Sequence, residues 1–328
     1  MQGRAGREVT INSLFRRFSF GHVALAAAAL GAFVVCCFWI PQIASPSNIS
    51  EVLRQIAVPG LIAIGVTFVV ICGRLDLSVG SLLSLCAVVA VHVQNAAGPV
   101  AAVAATIAVG VVAGCVNGTL VAVLRLNSLI ATLGTLSLLH GIALIYTAGQ
   151  NWPVNHPETS GFAIFGRDYL GPIPVPVLIL AVFAVLLWIL LTRTTFGRRV
   201  FAVGGNETAS RFSSINSTAT IFTSYLLSGA MTAVAAIVFA SRVMTARNDS
   251  GTGYEIAVLS GIILGGTSLI GGSGGIGRTI IGIIILGFVQ NILVLLGLPY
   301  FTQWLVTWVV IIVAVWGDVA RQRGSVFA

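Results

Sequence analysis

The chain has 328 residues, 57% of them hydrophobic and 8% charged, with a formal net charge of +8. So small a charged fraction, about a third of the ~25% usual in soluble domains, excludes a water-facing globule. The positive excess does not point to nucleic acid: all 17 basic residues are arginines, gathered at the ends of apolar runs, where the positive-inside rule wants them.

Residues 18–50, 55–73, 77–124, 126–157, 169–192, 212–241, 256–277 and 279–317 contain no Asp, Glu, Lys or Arg. A membrane helix needs about 20 mainly apolar residues, so each run holds at least one span. The runs 77–124 and 279–317 are long enough for two, broken near "QNAAGP" and "GLPYFT". The expected fold is all-α and polytopic, with about ten transmembrane helices. A cytoplasmic segment at 1–20 precedes the transmembrane domain at 21–317, and a cytoplasmic tail at 318–328 follows it.

The N-terminus has the basic-then-apolar look of a signal peptide. Its apolar core is too long, however, and no small-x-small cleavage site follows. Arg16 and Arg17 resemble a twin-arginine signal, but an uncleaved first helix with its cationic end in the cytoplasm is the simpler reading. With that orientation the loops at Arg74, Arg125, 193–216 and 271–278 fall inside, with the tail holding Arg321 and Arg323. The loops at 41–50, 93–99, 148–172, 242–254 and 297–302 fall outside. Arg242 and Arg247 sit against this rule, with Asp249 and Glu255 as the local compensation.

Between two spans lies "TRTTFGRRVFAVGGNETASRFSSIN", residues 192–216, far wetter and more basic than its surroundings. In it Asn206 can cap a helix, Glu207 favours the first turn, and Arg211 follows four residues on. In "VICGRLDLSVGSLLSL", residues 70–85, Asp76 precedes Ser78, Gly80 and a long apolar run. An acid is expensive at mid-membrane depth. Asp76 therefore reads as a helix cap paired with Arg74, or as part of a hinge or gate in which Gly73 and Gly80 permit a broken helix. The glycine-rich stretch at 264–282, with Gly265 and Gly266, reads as a tight turn between packed helices; glycine clusters at helix ends also bind anions.

Gly110, Gly114 and Gly118 form a stripe on which another helix can pack closely. "DLSVGS" from Asp76 and "EIAVLS" from Glu255 each open an apolar run with an acid, one from inside and one from outside. An inverted repeat would look like this. Inside the apolar runs, Asn117, Thr132, Thr135, His140, Gln290 and Asn291 each need a partner. They line a path for a polar substrate or bond to neighbouring helices.

The five cysteines, all within apolar runs, read as packing residues. The histidines are isolated, and no metal site or cofactor is expected. Without lysine there is no P-loop, and nucleophile elbow and zinc-protease motifs are missing, so the chain is not expected to be an enzyme.

Five segments carry a resemblance: "GRLDLSVGSLLSL", "IATLGTLSLLHGIALIYT", "FGRRVFAVGGNETASRFSSIN", "GTGYE" and "LGGTSLIGGSGGIGRTIIG". In this order and spacing the chain resembles the ribose/branched-chain type of ABC-importer permease from about residue 50 to 317. The resemblance implies a type II-like ten-helix subunit in the bacterial inner membrane, paired with a second copy or a homologue. A cytoplasmic ABC ATPase and a periplasmic sugar-binding protein complete such systems. Their substrates are monosaccharides or related polyols, and ATP is hydrolysed on the partner. The segment with Gly204, Gly205, Asn206, Glu207, Ala209 and Arg211 then corresponds to the coupling helix that docks on the ATPase. Arg74 and Ser214 depart from the family, which usually has glycine at both places. Two alternatives remain. One is an ion-gradient-driven secondary transporter, disfavoured because the spans supply no buried acid; the other is a purely structural membrane subunit.

Overall fold

The computed structural model describes residues 41–299 and, beyond them, Thr302, Leu305, Trp308, Val309 and Ile312. The expected first span, Cys36 and Cys37, most of the expected last span and the tail lie outside the described residues. The helices in chain order are α1 (Pro46–Ile71), α2 (Val79–Gly118), α3 (Ser128–Thr147), α4 (Val175–Arg193), α5 (Thr195–Gly205), α6 (Glu207–Phe212), α7 (Ser217–Val243), α8 (Tyr254–Leu264) and α9 (Ile276–Leu295). The described residues also form two short antiparallel pairs, β1 (Trp152–Pro153) with β4 (Thr245–Ala246) and β2 (Tyr169–Leu170) with β3 (Ile173–Pro174), and 3-10 turns at Pro41–Ala44 and Phe162–Phe165. Six helices are long and apolar enough to cross a membrane, namely α1, α2 with its π-helical extension to Val123, α3, α4, α7 and α9. The described residues therefore do not reach the ten expected.

One of the six is a hairpin. Gly98 sits at φ 83°, ψ 179° in the middle of α2, and Pro99 follows it. That φ suits glycine, and the proline has no N–H with which to continue a helical ladder. In a straight helix residues 86 and 106 would stand about 30 Å apart. Instead Cys86 Sγ lies 3.8 Å from the carbonyl of Thr106, and Asn117 Nδ2 donates to Ser78 Oγ at 2.7 Å. The break expected at "QNAAGP" is thus a reversal, with two antiparallel arms.

The core is built around α1 and α7. Residues Leu61 to Ile71 of α1 are all buried, as suits a helix apolar on every side. The glycine stripe on the second arm of α2 lies on α7. A Cβ at Gly110 would press on the carbonyl of Gly229, at Gly114 on that of Tyr225, and at Gly118 on Phe222. Small residues bring backbones together where lipid supplies no hydrophobic drive. On the α1 side, Gly65 abuts Met231 and Leu227 of α7.

Two ends result. At one, the turn of α2 meets the loop 148–172: Gln94 Nε2 donates to the carbonyl of Ser160, and Asn95 Nδ2 to that of Pro153. The same loop grips the end of α7 through Ser241 Oγ to the carbonyl of Phe162 and Arg167 Nε to that of Arg242. His92, Tyr146 and Trp152 cluster nearby, as aromatic side chains do at membrane interfaces. Arg242 is neutralised by Glu51 at 2.7 Å and Arg247 by Asp249 at 2.9 Å. Glu255, expected to compensate this group, takes no part in these ion pairs. At the other end gather the last turn of α1, helices α5 and α6, and the glycine-rich loop 265–275.

Candidate functional site

The wet segment 192–216 folds as two short helices. Thr194 caps α5 by accepting from the N–H of Gly197 at 3.3 Å, and Asn206 caps α6 by accepting from Ala209 N–H at 2.9 Å. Glu207 then has two partners: Oε1 meets Arg211 and Oε2 meets Arg74, each at 2.6 Å. Sequence spacing foresaw the first pair but not the second, because Arg74 is 133 residues away in the chain. The expected pairing of Arg74 with Asp76 is therefore corrected: Arg74 leaves the α1–α2 linker to hold α6.

Glycine makes this junction possible. A Cβ on Gly204 would overlap the carbonyl oxygen of Ile71, the last residue of α1. The same oxygen accepts from Gly272 N–H at 2.9 Å, and Gly271 lies against both Gly204 and Gly73. Gly205 makes no close contact at its Cβ position, but its backbone abuts Gly272. Three chain segments thus meet backbone to backbone beneath α1. Ala209 lies in the first turn of α6, between Asn206 and Arg211.

Asp76 is 2% exposed. Its Oδ1 accepts from the backbone N–H of Ser78 at 3.1 Å and from its hydroxyl at 2.6 Å, while Oδ2 accepts from Ser228 Oγ at 2.8 Å. Asn117 extends the chain of hydrogen bonds through Ser78 Oγ. The helix starts after Ser78 rather than Asp76, so Asp76 fastens the approach to α2 instead of capping it directly. Ser228 lies near the middle of α7, and Asp76 is therefore buried deep in the molecule. The charge-free runs themselves still hold no acid, but the linker between two of them delivers one to the middle of α7.

Four residues after Asp76, Gly80 touches another chain segment. A Cβ there would overlap Glu255 Oε2 and crowd the carbonyl of Gly251, and Gly251 N–H donates to Ser84 Oγ at 2.8 Å. The acid-led starts of α2 and α8, alike in sequence, thus meet each other. Gly265 and Gly266 lie away from this meeting point, at the C-terminal end of α8, where Gly265 abuts the carbonyl of Arg278. The loop they open is the tight turn between α8 and α9.

The six polar residues expected in the spans do not surround one space. Thr132 and Thr135 bond back to carbonyls of their own helix, at Ser128 and Thr132. His140 is half-buried on the same helix. Asn117 belongs to the Asp76 network, and Asn291 exchanges two hydrogen bonds with Asn48, at 2.9 and 3.0 Å. Gln290, one residue earlier and so turned about 100° away, lines a cavity of about 350 Å³ between α1, α8 and α9. Glu255, Gln55 and Trp308 share that cavity. The sequence marked Glu255 as a counter-charge and as the start of an inverted repeat, not as a cavity residue, and it did not single out Gln55.

These features define a helical, multi-span membrane protein with a polar helical projection at one end and, between its helices, a mainly apolar cavity that carries a few polar side chains. A family described as branched-chain amino acid transport system / permease component matches residues 48–315, and the chain belongs to that family. It is 42% identical to the ribose import permease protein RbsC of Bacillus subtilis, over 84% of this chain and 85% of that one. It is 34% identical to the L-arabinose transport system permease protein AraH of Escherichia coli, over 94% of both chains. With the autoinducer 2 import system permease protein LsrC of Salmonella paratyphi B it shares 36% identity, over 81% of this chain and 78% of the relative. No solved structure matches it significantly.

Proposed function

We propose that the chain is the membrane-spanning subunit of an ABC importer for a monosaccharide or related small polyol, working in the bacterial inner membrane. It has ten spans and both termini in the cytoplasm, and it pairs with a second permease copy or a homologue. A separate cytoplasmic ATPase hydrolyses ATP, and a periplasmic binding protein delivers the substrate. The single observation that carries this reading is the α5–α6 knob. A secondary transporter working alone has no need of a polar helical projection seated by close backbone contact on the end of its central helix. Family membership and the sugar-permease relatives support the same conclusion.

Gly204, Gly205, Asn206, Glu207, Ala209 and Arg211 form the ATPase-coupling surface in this reading. Asp76, Ser78 and Gly80 form the gate, and Gly265 and Gly266 the hinge below it. Arg74 ties the two: when α6 moves with the ATPase, the Arg74–Glu207 pair pulls on the linker that leads to Asp76.

Asp76 is the observation that favours a second reading, proton-coupled transport, since a buried carboxylate at such depth marks proton pathways. Uptake into inside-out-free, right-side-out vesicles separates the two. An ATP-driven importer keeps its uptake when a protonophore collapses the ion gradient and loses it when ATP is withheld. The opposite result establishes the proton-coupled transporter and removes the importer.

A further inference from the structure

Resting on the permease reading, we infer that the cavity around Glu255 is a substrate-binding station, built for an uncharged polyhydroxylated ring of monosaccharide size.

The location fits a passage. Helix α8 has 11 residues, about 16 Å of helix, or half of a ~30 Å hydrocarbon layer. It runs antiparallel to α9, with Gly265 against Arg278 and Gly261 against Ile283. Continuing that register brings Glu255, at the other end of α8, level with the neighbourhood of Gln290. From Arg278 to Gln290 is about 18 Å of helix. The cavity therefore opens inside the membrane layer, in the half away from the knob.

Its chemistry is that of a sugar site. Glu255 Oε1 accepts one N–H, from Gly253 at 3.2 Å, and no cation faces the carboxylate among the described residues. Arg242 and Arg247, the nearest candidates in sequence, are bound to Glu51 and Asp249. An uncompensated carboxylate in a half-enclosed apolar wall needs donors, and it repels phosphates and carboxylates. Sugar hydroxyls are such donors. Gln55 and Gln290 add amides that both donate and accept, and Thr252 adds a hydroxyl. Pro59, also in the wall, has no N–H to offer the carbonyl of Gln55 one turn earlier, which leaves another acceptor at the same place. Trp308 and Tyr254 supply flat apolar surface for the C–H face of a ring. A volume of about 350 Å³ sits at the small end of the ~300–1,000 Å³ found for ligand sites. Phosphorylated sugars and sugar acids are excluded by the same carboxylate.

The contact of Glu255 with Gly80 places this station directly against the approach to Asp76.

The test uses the full complex of this chain with its ATPase and binding protein in proteoliposomes, offered radiolabelled D-ribose and L-arabinose. Glu255→Ala and Gln290→Ala are expected to lower uptake of the carried sugar at least tenfold. ATP hydrolysis stimulated by the loaded binding protein should stay within twofold of the unaltered complex. Glu255→Gln, which keeps the shape and one acceptor, should fall between the two. Unchanged uptake in both Glu255 variants overturns the station and leaves the permease reading standing. Loss of hydrolysis together with uptake in Glu255→Gln assigns Glu255 to structure or coupling and also overturns it. Transport of neither sugar by the unaltered complex overturns the sugar-permease reading, and the station with it.

Discussion

Ser214 shows how a single side chain departs from what its backbone asks for. It sits at φ 61°, directly after the cap of α6. Ile215 N–H bonds to the carbonyl of Ser210 and Ser214 N–H to that of Arg211, the pattern of a Schellman ending. Glycine fits that position without steric penalty. Ser214→Gly is expected to stabilise the protein by about 0.5–1 kcal/mol, read as a higher thermal midpoint of the detergent-solubilised protein. A lower midpoint would show that the serine hydroxyl makes a contact that outweighs the strain. Arg74, the other departure, is a compensated one. Its side chain and that of Glu207 are 32% and 29% exposed, so their ion pair is only partly screened. A double-mutant cycle of Arg74→Gly and Glu207→Ala should give a coupling of about 0.5–1 kcal/mol in stability. Recovery of the ATPase in pull-down should fall in both single variants, and further in Glu207→Arg, which brings a third arginine into the group. Full ATPase recovery in Glu207→Arg would remove α6 from the coupling surface. The Glu207–Arg211 pair was legible from its spacing of four; the Arg74 pair was not, since no local pattern relates two residues so far apart.

Among the elements, α7 depends most on small residues. A side chain at Gly229 would overlap the carbonyl of Gly110, and the reverse clash at Gly110 involves Gly229 and Ala233. No flexible side chain is present to yield, because backbone stands on both sides. Gly229→Val should therefore separate α7 from the α2 hairpin, a loss of at least 2 kcal/mol by the measure of overpacked cores. The expected sign is a sharp fall in the amount of protein recovered from the membrane. Near-normal recovery with an unchanged melting point would show that the two helices do not meet as described. The stripe of Gly110, Gly114 and Gly118 was visible as a spacing of four, and so was the break at Gly98–Pro99. The partner helix was not visible, because a stripe of small residues accepts any helix with matching glycine or alanine. The polar residues of the spans were likewise read as a set. Thr132 and Thr135 prove to be satisfied by their own helix, and Asn291 by Asn48. Sequence cannot tell a hydroxyl that bonds back one turn from one that reaches into a cavity.

At the scale of the whole molecule, the grouping of arginines predicts sidedness. The knob, Arg74 and the glycine-rich loop share one end, while the turn of α2 and the loop 148–172 share the other. In a cysteine-free background, Glu158→Cys is expected to react with a membrane-impermeant thiol reagent added outside intact cells, and a cysteine at Arg211 only after the membrane is opened. Labelling of both from outside would refute the assigned orientation. Composition and run length were enough to establish a helical membrane protein, because hydrocarbon forces every backbone group to find its partner within its own segment. The five ordered motifs were enough to place it in its family. What the sequence alone could not decide was which polar and charged groups meet. Arg74 holds Glu207, Asp76 turns to Ser228, Glu51 takes Arg242, and Glu255 is left facing a cavity beside Gly80. These pairings join segments more than a hundred residues apart, in a chain whose local signal is nearly uniform apolarity. They are fixed only when the glycines let the helices close on one another, and that is a property of the tertiary structure.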